Sequence, residues 1–219
     1  MLETILDLLF PPKCPFCGGI LDHPGICPKC KPNLPWTDEE NCLKHLDGGL
    51  LCAAPLRYEG AVRSALLGLK FHSRASSAAP LGALIAQCAG EHFSGRFDTV
   101  TWTPVSRKRL RERGYDQAQL LTQSACRRWG TKPVRLVWKI KNNPAQSGLD
   151  SAAQRQINVQ GVYEASAKAK GRRILLIDDI CTTGATMTAC AQALLDAGAE
   201  SILCASVALT GKSMEFGEE

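Results

Sequence analysis

The apolar positions of the chain predict alternating strands and helices from about residue 50 onward. Apolar runs rich in β-branched and aromatic residues indicate strands, and apolar stripes at helical spacing indicate helices. The predicted strands are Leu51 to Tyr58, Asp98 to Val105, Val134 to Trp138, Ile174 to Ile177 and Ile202 to Leu209. The predicted helices are Ala61 to Phe71, Ser77 to Glu91, a segment ending at Trp129, and Thr186 to Ala197. Because the two alternate, the sequence predicts an α/β fold with a mostly parallel sheet flanked by helices.

The strand from Ile174 to Ile177 is apolar at every position. Such a run is typical of a central parallel strand that is covered on both faces. Two acids, Asp178 and Asp179, follow it directly. Because ligands of open α/β sheets bind beyond the carboxyl ends of the strands, we expect both acids at the mouth of a site. Carboxylates in that position suit ribose hydroxyls or Mg²⁺, which prefers oxygen ligands.

A threonine-rich turn joins these acids to the next predicted helix. The turn consists of Thr182, Thr183, Gly184, Ala185 and Thr186. A helix N-terminus offers unpaired N–H groups, a glycine lets the backbone approach closely, and threonine hydroxyls add donors. The expected guest is therefore a phosphate monoester. A turn and a capped helix without any ligand is the alternative, because Asp and Thr are common in turns and caps.

Segment 174–187 resembles the phosphoribosyl pyrophosphate (PRPP) signature of type I phosphoribosyltransferases. The resemblance implies that Asp178 and Asp179 contact the ribose hydroxyls and that the turn from Thr182 to Thr186 binds the 5′-phosphate. In a catalytic reaction, the departure of magnesium-bound pyrophosphate would leave positive charge on the ribose. The two acids are the candidate catalytic groups that stabilise this charge. No residue is identified as a general base, and the sequence does not indicate which acceptor would receive the phosphoribosyl group.

PRPP also carries a pyrophosphate, so a second anion site has to face the first across the ribose. Ser106, Arg107 and Lys108 follow a predicted strand and are expected to hold the pyrophosphate, and Lys70 is expected to reach the same charge. A solvated charge or a structural ion pair is an equally good interpretation of Lys70. Five of the seven positions from Arg107 to Arg113 are basic. A solvated face and a nucleic-acid surface are the alternatives for this run.

The stretch 142–160 is polar, rich in Gln, Asn and Ser, and without apolar periodicity. A loop of this length usually indicates a functional lid or disorder. We expect Gln146, Arg155 and Asn158 to fold over a bound substrate. A surface charge is an equally good interpretation of Arg155.

Composition and charge place the chain among soluble globular proteins. Its 219 residues are 45% hydrophobic, and the formal net charge is +5. No apolar run approaches the roughly 18 residues that a membrane span needs. The opening segment, residues 2–10, is short and acidic where a signal peptide is basic. It predicts an amphipathic helix that packs on the body of the protein.

The eleven cysteines fall into an ordered array and a scattered set. The array consists of Cys14, Cys17, Cys27 and Cys30, two C-x₂-C pairs separated by nine residues. This spacing predicts a tetrahedral structural zinc site. Disulfides are the less favoured alternative, because the scattered cysteines and the lack of a signal peptide indicate a reducing cytoplasm. A redox role is disfavoured because no βαβ pattern surrounds either pair.

Cys42 and His45 form a further Cys-x₂-His pair. These two side chains are expected either to replace two of the zinc ligands or to begin a second metal site. The alternative is a histidine that is only solvated. The spacing alone leaves these possibilities open.

Four features in one order resemble the ComF/GntX family of phosphoribosyltransferase-like proteins, over nearly the entire chain. They are the N-terminal cysteine module, Tyr58-Glu59-Gly60 with Leu69-Lys70-Phe71, the run Arg113-Gly114-Tyr115-Asp116-Gln117-Ala118, and Pro144 to Leu149 with Arg155 and Asn158. The residues that depart from those usual in the family are Asp116, Lys139, Lys141 and Asn143. The departures leave the fold safe and affect the detailed chemistry of the loops.

This resemblance implies a zinc-binding module in residues 1–50, a phosphoribosyltransferase-like domain in residues 51–219, and a role in natural transformation. Two functions stay open. The first is an enzyme that transfers a phosphoribosyl group from PRPP with Mg²⁺. The second is a binding protein that keeps the PRPP pocket as a nucleotide sensor and engages single-stranded DNA or a competence partner.

Overall fold

The computed structural model describes residues 11–71, 75–141 and 161–210. Two expectations fall outside the described residues. One is the N-terminal amphipathic helix. The other is the lid, with Gln146, Arg155 and Asn158.

A six-stranded sheet forms the centre of the fold. The strands within the described residues are β1 (Leu43–His45), β2 (Leu51–Ala53), β3 (Leu56–Arg57), β4 (Thr99–Trp102), β5 (Val137–Lys139), β6 (Tyr163–Ala165), β7 (Arg173–Cys181) and β8 (Ser201–Leu209). The main sheet has the order β1-β2-β8-β7-β4, with β3 also paired to β8, and β5 and β6 form a separate antiparallel pair. Only the β1–β2 pairing of the main sheet is antiparallel, so the predicted mostly parallel sheet is confirmed.

Helices cover both faces of this sheet. They are α1 (Gly60–Phe71), α2 (Ala78–Phe93), α3 (Arg107–Arg113), α4 (Gln117–Arg128) and α5 (Ala185–Asp196). Leu175 and Ile177 of β7 pack with α1, α2 and α4 in one core, whereas Ile174 and Leu176 pack with α5 in a second core. Because successive strand residues face opposite sides, a strand buried on both faces is apolar at every position.

Three elements differ from the sequence prediction. The segment 51–58 forms two short strands, interrupted at Ala54 and Pro55, because a proline lacks the N–H that a ladder needs. The predicted strand at 134–138 pairs with β6 rather than with the main sheet. The basic run forms a helix of its own, α3, which ends at Gly114 in a left-handed conformation with φ of 77°.

The central strand β7 runs four residues beyond its predicted end at Ile177. It continues because β8 pairs Ile180 with Ala208 and Cys181 with Leu209. The expectation that the two acids follow the strand is therefore wrong. Asp178 and Asp179 lie inside β7.

The segment before β1 has little regular structure. Its described part contains a 3₁₀ turn, Lys31–Asn33, and two isolated bridges, Lys13 to Ile20 within the segment and Trp36 to Leu56 of β3. Phe16, Ile26 and Trp36 pack against the first core and attach the segment to the domain. Strand β1 precedes residue 50 and yet belongs to the main sheet, and the division at residue 50 stays a prediction. In the described ranges no helix is long and apolar enough to span a bilayer.

Candidate functional site

The two acids of β7 face opposite sides of the sheet. Asp179 approaches Lys70 of α1, whereas the charge of Asp178 acts on Tyr163 and Cys190 on the α5 side. Both carboxylates are buried, with 8% of Asp178 and 4% of Asp179 exposed. Their opposite orientation follows from the strand, in which neighbouring side chains alternate.

Asp179 is held by an ion pair that leaves its hydrogen bonding incomplete. Lys70 Nζ lies 2.6 Å from Asp179 Oδ2, on the protein side of the site. The contact lies outside hydrogen-bonding geometry, so Oδ2 is a buried oxygen with a charge partner and without a hydrogen bond. Lys70 therefore forms the ion pair of the alternative interpretation, and its contact with pyrophosphate stays a prediction. The Lys70 ammonium already compensates the charge of Asp179, and a ribose hydroxyl would add a hydrogen bond of better geometry.

The pKa of Asp178 is strongly perturbed. Burial, and next the negative charge of Asp179, raise the pKa of Asp178 well above its usual 3.8. The N–H of Asp179 donates to Asp178 Oδ1 at 2.8 Å and offsets part of this cost. A buried carboxyl group with a raised pKa is suited to a site that brings its own positive charge or donors.

Two segments that are distant in the sequence, 69–71 at the end of α1 and 113–117 between α3 and α4, meet near Asp179. The Tyr115 hydroxyl donates to the Leu69 carbonyl. The Arg113 guanidinium lies 5.0 Å from the centre of the Phe71 ring, and Arg113 also donates to Gln117 Oε1 at 2.9 Å. These contacts seat the end of α1 against the turn between α3 and α4.

The same turn places a second cation near the acids. Burial, and next the charge of Arg109, lower the pKa of Arg113, whereas Asp179 opposes this shift. Gly114 makes the turn, and Asp116 fixes it by accepting from the N–H groups of Val105 and Gln119, each at 3.2 Å. Asp116 is therefore the cap of α4 and not a group aimed at a ligand.

The threonine-rich turn is open to solvent at the end of β7. Thr182, Thr183 and Thr186 are exposed, whereas Gly184 is buried. Gly184 has φ of 85° and caps the N-terminus of α5. A left-handed glycine before a twelve-residue helix directs backbone N–H groups and partial positive charge to the turn, an arrangement that suits a phosphate.

The hairpin of β1 and β2 supports this turn from below. Lys44 donates from Nζ to the Thr182 carbonyl and, at 3.5 Å, to the Thr210 carbonyl. A Cβ on Gly184 would lie 2.6 Å from a methyl carbon of Leu46, so only glycine fits beneath the hairpin. Sequence reasoning missed both contacts, since Lys44 and Leu46 lie more than a hundred residues before the turn.

The predicted pyrophosphate residues occupy the first turn of α3. Ser106 is buried and accepts from the Arg109 N–H at 3.3 Å, so its hydroxyl already caps the helix. Arg107 and Lys108 are exposed, and Lys108 pairs with Glu112 at 3.9 Å across the solvent-facing side. The structure therefore places the two cations on an open surface, and their contact with pyrophosphate stays a prediction.

The small β5–β6 sheet contributes two residues that sequence reasoning did not assign to the site. Lys139 Nζ lies 5.5 Å from the centre of the Tyr163 ring. Burial, and next the charges of Cys190 and Asp178, raise the pKa of Tyr163, which also bonds to Thr186. Burial, and next Arg109, lower the pKa of Lys139. A cation and a phenol thus flank Asp178 opposite the Lys70 side.

The four cysteines of the array converge as a structural zinc site. Their sulfur atoms all lie within 4.8 Å of one another. The 3.7 Å between Cys17 Sγ and Cys27 Sγ is close to the roughly 3.8 Å that separates two sulfur ligands of a tetrahedral zinc ion. All eleven cysteines lie in described residues and none is in a disulfide.

Burial and close neighbours shift the pKa values of two of these thiols in opposite directions. Burial raises the pKa of Cys14, but the N–H groups of Cys27, Cys17 and Phe16 outweigh it and lower the value to about 7. Burial and the neighbouring thiols raise the pKa of Cys30 to about 12. A divalent cation would let all four ionise.

Cys42 and His45 do not join this site. Cys42 Sγ lies 3.3 Å from His92 Nε2 at the end of α2, and His45 is exposed on β1. In the part of the chain that the structure describes, no second set of three ligand atoms is gathered as closely as the four sulfurs.

Comparisons with protein families match both halves of this arrangement. Residues 116–216 match the family described as phosphoribosyl transferase domain. Residues 5–61 match the family described as double zinc ribbon domain. The first match contains β7, the threonine-rich turn and α5, and the second contains the four zinc ligands.

Curated relatives extend over most of the chain. A DNA utilization protein, YhgH of Escherichia coli, is 27% identical over 83% of this chain and 89% of its own length. Competence protein ComFC of Bacillus subtilis is 25% identical over 84% of this chain and 72% of its own. Competence protein F of Haemophilus influenzae is 34% identical over 48% of this chain and 47% of its own.

Proposed function

This chain belongs to the ComF family, with a type I phosphoribosyltransferase-like α/β domain and a structural zinc module, and on that premise we propose that it binds PRPP or a related sugar phosphate and acts in DNA uptake. We place this action in the cytoplasm. The 5′-phosphate would occupy the turn from Thr182 to Thr186, and the ribose hydroxyls would reach Asp178 and Asp179.

The observation that carries the proposal is a pair of adjacent buried acids, Asp178 and Asp179, beside an open threonine-rich turn. Asp179 Oδ2 is buried and has no hydrogen bond, and the turn that begins three residues later is exposed. A strand, turn and capped helix without a ligand needs neither feature. A sugar phosphate supplies hydroxyl donors to the first and an anion to the second.

Magnesium fits the same acids. Two adjacent carboxylates, one with a raised pKa and one with an unsatisfied oxygen, are hard oxygen ligands for a divalent cation. Mg²⁺ bound with PRPP would neutralise the pyrophosphate as a leaving group. Lys70 pairs with Asp179 on the α1 side of the sheet, and Arg113 adds positive charge nearby.

Transfer and sensing differ in the step after binding. Transfer requires a nitrogen nucleophile to capture C1 of the ribose, with Asp178 and Asp179 stabilising the developing positive charge. Sensing requires only that the bound and empty pockets differ in their contacts. Release of pyrophosphate from PRPP in the presence of nucleobases would assign transfer, and binding without release would assign sensing.

Calorimetry with PRPP and Mg²⁺ tests the pocket. We expect binding by the unmodified protein and a loss of at least about 100-fold in the Asp178→Ala plus Asp179→Ala variant, because each hydrogen bond to a charged group contributes about 1.5–3 kcal/mol. Glu200→Gln, an exposed acid distant from the turn in the sequence, is the matched control and should bind normally. An unmodified protein that binds no PRPP would sink the proposal.

A second candidate function, binding of single-stranded DNA, is favoured by the exposed cations of α3. Arg107, Lys108, Arg109 and Arg111 are all exposed, and relatives carry the names DNA utilization protein and competence protein. Cations on one short helix attract the phosphate backbone through counterion release, with a logarithmic salt slope of about −0.7 per contact for single strands.

The salt dependence of oligonucleotide binding tests this surface. Arg109→Ala plus Arg111→Ala should weaken the binding of a fluorescent oligothymidylate and reduce the salt slope by about 1.4. Arg127→Ala plus Arg128→Ala removes the same charge from the exposed end of α4 and should change neither. Equal losses in the two variants would reduce the effect to net charge and count against an α3 surface.

A further inference from the structure

A cavity of about 170 Å³ lies between the segment that follows the zinc site and helix α2. Two cysteines and a histidine line it, namely Cys42, Cys88 and His92. Three acids, Asp38, Glu39 and Glu91, line it as well, and the described lining contains neither lysine nor arginine. The cavity thus combines soft sulfur and nitrogen donors with negative charge. It is distinct from the PRPP site and from the four-cysteine site.

Two of these donors already stand at ligand spacing. Cys42 Sγ lies 3.3 Å from His92 Nε2. Zinc bonds of about 2.3 Å to sulfur and 2.0 Å to nitrogen place tetrahedral ligand atoms about 3.5 Å apart. Cys42 is 4% exposed, and His92 is half-buried.

The third donor comes from the same helix as the histidine. Cys88 and His92 are four residues apart on α2, and side chains at this spacing share one face of a helix. Cys88 is buried, with 5% exposed. Cys42 comes from the opposite wall, so a metal here would join α2 to the segment that links the zinc site to β1.

The acids supply the remaining charge and a fourth ligand. Glu91 is exposed beside His92, and Asp38 and Glu39 precede Cys42 by a few residues. Burial, and next the charges of Asp38, Glu39 and Glu91, raise the pKa of the Cys42 thiol. Burial, and next Cys42 and Glu91, raise the pKa of Cys88 to about 12. Both cysteines are therefore neutral thiols in the metal-free protein, and a divalent cation would displace their protons and be attracted by the three carboxylates.

We propose that Cys42, Cys88 and His92, with a carboxylate of the cavity, form a second site for a zinc-like divalent ion. Two of its ligands lie outside the matched zinc ribbon, which ends at residue 61. In the described structure these atoms are less tightly gathered than the four sulfurs, so binding requires Cys88 and the carboxylate to approach the Cys42–His92 pair. The second ion is therefore held more weakly than the first.

Zinc content and cobalt substitution test the site on the full-length protein. We expect two zinc ions per chain at saturating zinc, and one in Cys42→Ala, Cys88→Ala or His92→Gln. Cobalt added after the first site is filled with zinc should give sulfur-to-cobalt charge-transfer absorption in the unmodified protein and none in Cys42→Ala. Glu91→Gln changes an exposed side chain and should lower the affinity for the second ion several-fold without affecting the fold.

Cys126→Ala is the matched control, because Cys126 is also a buried helical cysteine with a raised pKa and lies outside the cavity. It should retain two ions. One zinc per chain in the unmodified protein at saturating zinc, lost only with Cys14→Ser, overturns the proposal. So does a second ion that Cys126→Ala removes as readily as Cys42→Ala.

Discussion

The zinc module and the acid pair of β7 both concentrate anionic groups, but different forces hold the backbone around them. The described module from Lys13 to Asn33 contains one isolated bridge and one 3₁₀ turn. Asp178 and Asp179 instead lie in a nine-residue strand that pairs with β4 on one side and β8 on the other. The module has no ladder to hold its thiols together, whereas the sheet holds the acids whatever is bound.

This difference indicates that the zinc module needs its ligand in order to fold and that the sheet around the acid pair does not. The module lacks a core of its own, so zinc binding supplies its folding free energy. The acid pair is positioned by two hydrophobic cores, and the proximity of its two charges lowers stability. We therefore expect the loss of zinc to unfold the module, and the loss of the sugar phosphate to leave the domain folded.

The largest effect is expected for Cys14→Ser, which removes a buried zinc ligand. Structural zinc contributes about 10–16 kcal/mol in isolated zinc-finger peptides. The variant should lose one zinc ion per chain, and protection against hydrogen exchange should fall across residues 13–33. Protection of β7 should persist, because its pairing does not involve the module. A module that stays protected in the variant or in excess chelator would contradict the comparison.

The cysteine cluster and the strand, threonine-rich turn and helix could all be predicted because each is a local pattern, whereas phosphate binding at the turn stays a prediction. Two C-x₂-C pairs specify four ligands within 17 residues, and the strand, acids, threonines and helix follow one another within 24. The continuous apolar run from Ile174 to Ile177 correctly indicates a strand covered on both faces. The predicted end of this strand is wrong because the length of β7 is set by pairing with β8, a partner that local sequence does not reveal.

The contacts that support the site could not be predicted because they join distant segments. Lys44 reaches Thr182, and Leu46 packs on Gly184, through the pairing of β2 with β8. Spacing pairs Cys42 with the nearby His45, whereas the fold brings it to His92. Residue types indicate the chemistry of these side chains, but only the topology determines their partners.

The next largest effect is expected for Gly184→Ala. This variant tests whether the threonine-rich turn is held as rigidly as strand β7. The new Cβ would lie 2.6 Å from Leu46 at a φ of 85°. Backbone strain and overpacking together should cost about 2–4 kcal/mol in the free energy of unfolding. Chemical denaturation measures this cost, and PRPP affinity should fall with it.

Two further variants separate strain from the clash. Gly171 has φ of 68° and open space at its Cβ, so Gly171→Ala should cost only the strain. Leu46→Ala removes the side chain that the new Cβ would meet. The double variant should therefore regain the part of the unfolding free energy that is lost to overpacking, with a coupling energy between the two substitutions of about 1–2 kcal/mol. If Gly184→Ala and Gly171→Ala lower the free energy of unfolding equally, Leu46 of the hairpin moves aside for the new Cβ and no overpacking remains.

A smaller and opposite effect is expected for Asp178→Asn. The pKa of Asp178 is raised in the folded state, so its contribution to stability is complete below its usual value of 3.8 and is lost as the pH rises through the folded value. At pH 7 the neutral amide should therefore raise the melting temperature by about 2–4 °C for each kcal/mol of strain relieved. The gain should shrink as the pH approaches 4, while PRPP affinity falls at neutral pH.

This opposition of stability and binding would mark Asp178 as a functional rather than a structural acid. Thermal melts at pH 4 and pH 7, combined with calorimetry, measure both sides. Glu200→Gln, an exposed acid, should alter neither quantity. A destabilised Asp178→Asn at pH 7 would instead make the carboxylate a structural group of the sheet.

The smallest effect is expected for Lys44→Met. This variant tests whether the β1–β2 hairpin helps to order the threonine-rich turn. The substitution keeps the apolar stem and removes the ammonium that bonds the carbonyls of Thr182 and Thr210. Losing about 1 kcal/mol of ordering should weaken PRPP binding about 5-fold and leave zinc content unchanged. Lys168→Met, an exposed change beyond the hairpin, should bind normally. If Lys44→Met binds PRPP as tightly as the control does, the turn is ordered by β7 and α5 alone, and the two regions act independently.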